Sequence, residues 1–114
     1  MPEDCIFCKI AKKEIPTEIV FEDEDFIAFK DVKPKAPIHV ILIPKMHIGP
    51  HFSVSEEHGE LLGKMMIAAA EIARIVGVDR SGYRLVMNSG PDSGMEIDHL
   101  HMHILGGGQL GPIA

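Results

Sequence analysis

Residues 98–105 carry the pattern that decides the fold, and they read Asp98-His99-Leu100-His101-Met102-His103-Ile104-Leu105. Side chains alternate between the two faces of a β-strand. In an extended segment the three histidines therefore project from one face, while Leu100, Met102 and Ile104 project from the other. Neighbouring histidines on that face lie about 6.6 Å apart, at roughly 3.3 Å per residue. We expect the apolar face to pack into a core and the imidazole face to line a cleft.

A histidine-rich tract also has two simpler explanations. A single histidine is often an ordinary core residue, and a tract of several histidines can bind a metal without any catalysis. The regular alternation of three histidines with three apolar residues favours a strand that lines a functional site.

The rest of the chain predicts an α+β fold. Apolar spacing predicts a short helix over residues 4–13 and a long helix that begins near Ser55, a good N-cap, and ends at Gly77. Strand-like runs occupy residues 19–22, 26–30, 38–43, 83–88 and 99–105. We expect one domain over residues 1–114, with about five mostly antiparallel strands around the two helices. The long helix has a wider apolar face than one small sheet covers, which favours a homodimer.

Composition and charge exclude several classes of protein. The apolar fraction of 46% with 25% charged residues is typical of a globular chain and not of a disordered one. The net charge of −6 argues against nucleic acid as a partner, because that affinity rests on a basic surface. The N-terminus lacks the features of a signal peptide, and no apolar run approaches the roughly 18 residues of a membrane span. We therefore expect a cytoplasmic protein with no membrane partner.

The histidine strand resembles the signature of the histidine-triad (HIT) family, in which three histidines alternate with hydrophobic residues. Further similarity runs almost from end to end and includes Cys5-Ile6-Phe7-Cys8-Lys9-Ile10, Ile43-Pro44-Lys45-Met46-His47 and Gly82-Tyr83-Arg84-Leu85-Val86. The Leu105-Gly106-Gly107 that follows the triad resembles the Hint branch, whose members are nucleoside phosphoramidase-like. The diadenosine-polyphosphate hydrolase branch usually has a proline there.

This resemblance implies a phosphohydrolase that cleaves purine nucleoside 5′-monophosphate conjugates, such as phosphoramidates and acyl-adenylates, at the α-phosphate. His101 matches the nucleophile, which forms a nucleotidyl-histidine that water then hydrolyses. His103 matches a donor to the phosphate oxygens that helps move a proton to the leaving group. His39 matches a further active-site histidine with an orienting role.

The resemblance also implies the contacts to a purine nucleotide such as AMP or its conjugates. Asp31 matches an acidic residue that accepts hydrogen bonds from the ribose hydroxyls. The other contacts fall on Val32, Asn88, Gly94, Met95 and Glu96, beside His101 and His103. The Hint branch typically has glutamine and serine where Met95 and Glu96 stand. An ionised glutamate cannot donate to a leaving nitrogen, and its charge opposes phosphate at short range.

Two alternative functions follow from these details. The first is a dinucleoside polyphosphate hydrolase, which Leu105-Gly106-Gly107 disfavours. The second is a nucleotide-binding scaffold or regulatory module with little turnover, which the departures at Met95 and Glu96 leave open.

Cys5 and Cys8 are the chain's two cysteines, and their CxxC spacing is typical of metal or redox chemistry in a cytosolic protein. A thioredoxin-type motif needs a strand before the pair, and only four residues precede Cys5. A tetrahedral structural Zn²⁺ needs two more ligands, and the candidates are His39, His47, His51, His58 and His99. Resemblance to metal-bearing HIT relatives selects His47 and His99, with His51 as the alternative to His47. Two free thiols without metal are the competing interpretation.

Overall fold

The computed structural model describes residues 4–114, which form two α-helices and a five-stranded sheet. The helices are α1 (Ile6–Ala11) and α2 (Gly59–Ile75). The strands are β1 (Ile19–Glu22), β2 (Phe26–Lys30), β3 (Ile38–Pro44), β4 (Tyr83–Val86) and β5 (Met102–Gly106). Their order in the sheet is β1-β2-β3-β5-β4, and every neighbouring pair is antiparallel. The predicted α+β fold, with one long and one short helix, is confirmed.

Both faces of the sheet are covered. The first face packs against α2, and its buried core includes Phe26, Ala28, Val40, Leu42, Met65, Ala68, Ala69, Ile72, Met102 and Ile104. The second face packs against α1, and its buried core contains Phe7, Ile10, Ile27, Phe29, Ile41 and Ile43. Since consecutive residues of β3 alternate between the two cores, this central strand is apolar along most of its length.

Helix α1 is shorter than the predicted 4–13 segment. Cys5 is its N-cap, and the Cys5 sulfur accepts a hydrogen bond from the backbone N–H of Cys8 at 3.4 Å. Beyond the helix, Lys13 has a φ of 63°, which lies outside the right-handed helical region. The helix is therefore a short element whose start is fixed by a cysteine.

Helix α2 also begins later than predicted. Ser55 is the N-cap of a 3₁₀ turn, Glu56–His58, and the α-helix follows from Gly59. The Ser55 N–H donates to Nδ1 of His58 at 3.0 Å, and this bond belongs to the turn rather than to an α-helical start. Neither helix of residues 4–114 combines the length and hydropathy that crossing a bilayer requires.

The strand predicted over residues 99–105 is instead Met102–Gly106. The ladder begins later because the Leu100 N–H donates to the Ile48 carbonyl at 2.7 Å, in the segment between β3 and α2. The strand predicted over residues 83–88 likewise ends at Val86. Leu100, Met102 and Ile104 nevertheless all belong to the α2-side core, as the alternation predicts.

Candidate active site and metal cluster

A cavity of about 650 Å³ opens on the face of the sheet that carries α1. Its walls come from α1, the β2–β3 loop, β5 and the segment between β4 and β5. All residues that the sequence predicts for catalysis or nucleotide contact line it, namely Asp31, Val32, His39, Asn88, Gly94, Met95, Glu96, His101 and His103. The fold thus brings together positions that lie up to 72 residues apart, from Asp31 to His103.

The cavity lining combines a large apolar part with a few polar groups. Its apolar residues, besides Val32 and Met95, are Ile6, Phe7, Ile10, Ile15, Pro16, Phe29, Ile41, Val86, Ile97 and Leu105. Lys33 and Lys35 from the β2–β3 loop add positive charge, whereas Val32 beside them is 87% exposed. Such a combination is typical of sites that bind a small molecule. Lys33 and Lys35 are matched by Asp31 and Glu96, so the lining offers apolar surface together with charges of both signs.

His101 lies against the floor of this cavity. The residue is only 6% exposed, yet it forms part of the cavity lining. Its Nδ1 is 2.7 Å from the carbonyl oxygen of His99, and a carbonyl only accepts hydrogen bonds. The neutral ring therefore carries its proton on Nδ1 and keeps the lone pair on Nε2. The ring of Phe7 packs edge-on against it, with centroids 5.1 Å apart.

His39 and His103 form an imidazole pair beside His101. The Nε2 atom of His39 is 2.8 Å from Nδ1 of His103 and 3.4 Å from Oδ2 of Asp31. The other ring nitrogen of His39, Nδ1, accepts the backbone N–H of Lys35 at 3.0 Å. The His101 and His103 rings lie with centroids 5.1 Å apart. Three imidazoles therefore meet at one end of the cavity.

Burial keeps His39 and His103 neutral near pH 7 by lowering the pKa of each ring. Desolvation lowers the pKa of His103 to about 4, and repulsion from His101 and His39 adds to the shift. Desolvation also lowers the pKa of His39, although the Asp31 carboxylate partly opposes that shift. A neutral histidine has one nitrogen that donates and one that accepts, so each ring can hold and pass on a proton.

Four predicted metal ligands meet next to this site. The ligand atoms of Cys5, Cys8, His47 and His99 all lie within 4.8 Å of one another. Cys8 Sγ is 3.2 Å from His47 Nδ1, and Cys5 Sγ is 3.4 Å from His99 Nδ1. A tetrahedral ion with Zn–S near 2.3 Å and Zn–N near 2.05 Å places sulfur and nitrogen about 3.6 Å apart. This metal cluster could hold an ion with little rearrangement.

The surroundings of the metal cluster also fit a bound cation. His99 is 1% exposed, and its Nε2–H donates to the Pro44 carbonyl at 2.9 Å. Metal-bound histidines usually make such a hydrogen bond through the ring nitrogen that does not bind the metal. The bond leaves the lone pair of His99 Nδ1 facing the two sulfurs. Burial raises the pKa of Cys8 to about 11, and the neighbouring Cys5 adds to the shift. A cation held between the sulfurs would favour the thiolate that burial disfavours.

His51 and His58, two other candidate ligands, lie elsewhere. His51 is exposed in the short turn His51–Ser53, and His58 bonds to Ser55. Neither joins a group of potential ligands within residues 4–114. A second group does form from Asp31, His39 and His103, whose ligand atoms also lie within 4.8 Å of one another.

Sequence reasoning missed the β2–β3 loop as a source of polar contacts. The Lys33 N–H donates to Oδ1 of Asp31 at 2.8 Å, and the Lys35 N–H donates to His39. Both contacts come from backbone N–H groups, which every residue except proline carries. No residue type in the sequence signals such a contact, although the prolines at positions 34 and 37 do mark the loop.

Comparison with known proteins gives a consistent result. A sequence profile described as "Scavenger mRNA decapping enzyme C-term binding" matches residues 4–111. The purine nucleoside phosphoramidase of Escherichia coli (strain K12) is 46% identical over 113 residues, covering 99% of this chain and 95% of that protein.

Solved structures extend the match to three dimensions. A HIT family hydrolase from Clostridium thermocellum has a TM-score of 0.94 at 44% identity, covering 98% of this chain and 97% of its own. A histidine triad protein from Clostridium difficile has a TM-score of 0.95 at 38% identity, covering 100% of this chain and 99% of its own. These relatives confirm the predicted hydrolase class, and the chain belongs to the histidine-triad family.

Proposed function

We propose that the protein hydrolyses purine nucleoside 5′-monophosphate conjugates, with phosphoramidates as the main class and acyl-adenylates as a second. The observation that carries this proposal is His101, whose Nδ1 is engaged by the His99 carbonyl at 2.7 Å while the ring lines the cavity. The purine nucleoside phosphoramidase activity in the name of a 46% identical relative supports the same substrate class.

The reaction proceeds in two displacements at the α-phosphorus. His101 Nε2 forms a bond to phosphorus as the P–N bond to the leaving amine breaks. His103 passes its Nε2 proton to the amine, and a proton from solvent water replaces it on that ring. The product is a nucleotidyl-histidine. A water molecule then attacks phosphorus, its proton passes to solvent by the same path beside His103, and the nucleoside monophosphate and His101 are released. The two displacements balance because the proton taken from solvent in the first is given back in the second, so His101 and His103 both end neutral.

The same cavity accommodates the nucleotide. Asp31 accepts hydrogen bonds from the ribose diol, since a carboxylate offers more lone pairs than the single Lys33 N–H occupies. Val32 covers the base at the rim, where its exposed side chain can close on a ligand. Asn88 and the backbone from Gly94 to Glu96 surround the phosphate. Glu96 is itself exposed, so its carboxylate can remain in water while its backbone faces the cavity.

We propose zinc as the ion of the metal cluster, in a structural role. Two sulfurs and two imidazoles make a tetrahedral N/S set, which is the preference of Zn²⁺, and four protein ligands leave no position for a reacting water. The ion would tie α1, through Cys5 and Cys8, to His99, two residues before His101. Thiol ligands require reducing conditions, so we place the protein in the cytoplasm.

We also propose a homodimer. The uncharged strip Gly59, Gly63, Met66 and Ala70 runs along α2 beside its buried face, and Met66 is 52% exposed. Strand β4 pairs with β5 alone among residues 4–114, so its outer edge is available to a second copy. A symmetric pair of chains would cover both features. Sedimentation velocity tests this proposal, and a monomer at micromolar concentration would contradict it.

One substitution tests the proposed reaction. With a fluorogenic adenosine phosphoramidate as substrate, we expect His101→Ala to lose at least ~10³-fold in kcat, as removal of a covalent nucleophile usually does. His51→Ala is the matched control, because its exposed ring lies outside the cavity. Equal turnover by wild type and His101→Ala would instead favour the nucleotide-binding module with little activity. A dinucleoside polyphosphate cleaved faster than the phosphoramidate would favour the other alternative.

A further inference from the structure

The loop between β2 and β3 places one backbone amide against the active-site histidines. Lys35 lies in the sequence Pro34-Lys35-Ala36-Pro37, and its N–H donates to Nδ1 of His39 at 3.0 Å. A backbone N–H can only donate, so Nδ1 of His39 must provide the lone pair. A neutral imidazole carries one proton, and the proton of His39 therefore belongs on Nε2.

The opposite nitrogen of His39 supports this conclusion independently. His39 Nε2 has two acceptors nearby, Nδ1 of His103 at 2.8 Å and Oδ2 of Asp31 at 3.4 Å. A carboxylate oxygen only accepts, so its approach is favourable when Nε2 carries a proton. His39 then donates to His103, and the neutral His103 ring must carry its own proton on Nε2.

We infer that the backbone amide of Lys35 is a positioning group that fixes the tautomers of His39 and His103, so that His103 presents Nε2–H to the α-phosphate. The inference rests on the proposed function, in which His103 meets the phosphate and the leaving group. With the opposite tautomers, His103 would present a lone pair to an anionic oxygen and could give no proton to a leaving amine.

The loop is built to hold this amide in place. Prolines at positions 34 and 37 restrict the backbone on either side of Lys35. Two residues earlier, the Lys33 N–H donates to Oδ1 of Asp31 at 2.8 Å and closes a turn across the loop. The Asp31 N–H in turn donates to the His39 carbonyl at 3.0 Å, which ties the start of the loop to β3.

The same amide explains why Asp31, His39 and His103 form a proton-transfer group despite their spacing as potential metal ligands. A metal there would need lone pairs on both His39 Nε2 and His103 Nδ1. The Lys35 N–H already occupies the lone pair of His39 Nδ1, which leaves the proton of that ring on Nε2. The cluster therefore favours a proton between its two rings over a cation.

Nitrogen-15 NMR of the histidine rings tests the inference in the ligand-free protein. Long-range ¹H–¹⁵N spectra at pH 7 distinguish protonated from lone-pair ring nitrogens, and we expect protons on Nε2 of both His39 and His103. Lys35→Ala keeps the amide and should retain these tautomers, whatever the loss of its ammonium does to substrate binding. In Lys35→Pro, the preference of His39 for Nε2 protonation should fall about fivefold, the weight of one net hydrogen bond.

Two further measurements make the test decisive. If Lys35→Pro fails to fold, an ester in place of the amide between residues 34 and 35 removes the N–H with the side chains unchanged. Wild-type protein with a proton on His39 Nδ1, or a folded Pro or ester variant with unaltered tautomers, would overturn the inference. The spectra need no turnover, so this failure is distinct from failure of the proposed reaction, which His101→Ala reports.

Discussion

The metal cluster and the His39–His103 pair stand in instructive contrast, because both use histidines of the same short segment. In the metal cluster a backbone carbonyl, that of Pro44, takes the proton of His99 Nε2 and leaves a lone pair facing the sulfurs. In the other cluster a backbone N–H, that of Lys35, occupies the lone pair of His39 and leaves a proton facing His103. The backbone group that is hydrogen-bonded to one ring nitrogen thus decides whether the other nitrogen can bind a metal or donate a proton.

Phe7 connects the metal cluster with His101, the ring next to the His39–His103 pair. It lies on α1 between Cys5 and Cys8, and its ring packs edge-on against both His99 and His101, with centroids 5.9 and 5.1 Å apart. The ligand side and the reacting side are therefore separate in hydrogen bonding but joined in packing. Mutations in the metal cluster should therefore change zinc content and stability, whereas mutations in the His39–His103 pair should change kcat. Substitution of Phe7 should affect both zinc affinity and kcat.

The largest effect is expected on stability when the metal cluster is broken. Cys8→Ser should lose the bound zinc and about 4 kcal/mol of unfolding free energy, since loss of a structural metal is among the most destabilising changes. Elemental analysis and thermal denaturation measure both quantities. The matched pair His47→Ala and His51→Ala identifies the fourth ligand: the first should lose metal and the second should keep it. A wild-type protein that is metal-free and as stable as Cys8→Ser would refute the zinc proposal.

The next largest effect concerns proton transfer and should leave the metal untouched. His103→Ala should reduce kcat for an amine leaving group by roughly 10²-fold, the usual contribution of a positioned general acid. An aryl ester of AMP with an acidic phenol as leaving group needs little protonation, so its loss should be much smaller. Zinc content should equal that of wild type. Equal losses for both leaving groups would mean that His103 does not supply the proton.

A smaller effect tests the connection between the clusters. Phe7→Leu removes two edge-on contacts with histidines and one with Phe29 at 5.8 Å. We expect a loss of about 1 kcal/mol in stability, typical of aromatic pairs, together with small decreases in both zinc affinity and kcat. Phe52→Leu is the control, because Phe52 is 73% exposed. Loss of only one of the two functional properties would show that the metal cluster and His101 are independent of each other.

Much of this arrangement follows from the sequence for a definite reason. The alternation along residues 98–105 predicts that the three histidines lie on the opposite side of the chain from Leu100, Met102 and Ile104. The alternation continues before Met102, where the hydrogen-bonded strand begins. The late start could not be foreseen, because it depends on the Leu100 N–H meeting the distant Ile48 carbonyl. The same is true of Ser55, whose capping preference is realised in a 3₁₀ turn before α2.

The directions of the hydrogen bonds at His39 and His99 are what sequence reasoning could not supply, whereas the resemblance already implied a backbone carbonyl at the second ring nitrogen of His101. His39 was predicted as an orienting residue from resemblance, but nothing in the residue types of the β2–β3 loop indicates that the Lys35 N–H points at it. Side-chain identity predicts which groups can meet, whereas tautomers depend on backbone groups that the fold brings to them. This explains why the members of both clusters were predictable and their protonation was not.

Stability also depends on pH through His103. Its pKa is lowered from 6.5 to about 4 in the folded protein, chiefly by burial, so folding favours the neutral ring. This contribution is fully present above pH 6.5 and is lost as the pH falls towards 4, because the unfolded chain then binds a proton that the folded chain does not. Burial lowers the pKa of His39 as well, so both histidines act in the same direction.

We therefore expect His103→Gln to reduce, without abolishing, the loss of unfolding free energy between pH 6.5 and 4 measured in urea titrations. His51→Gln, altered at an exposed ring, should retain the wild-type slope, and an unchanged slope in His103→Gln would mean that the ring is not desolvated.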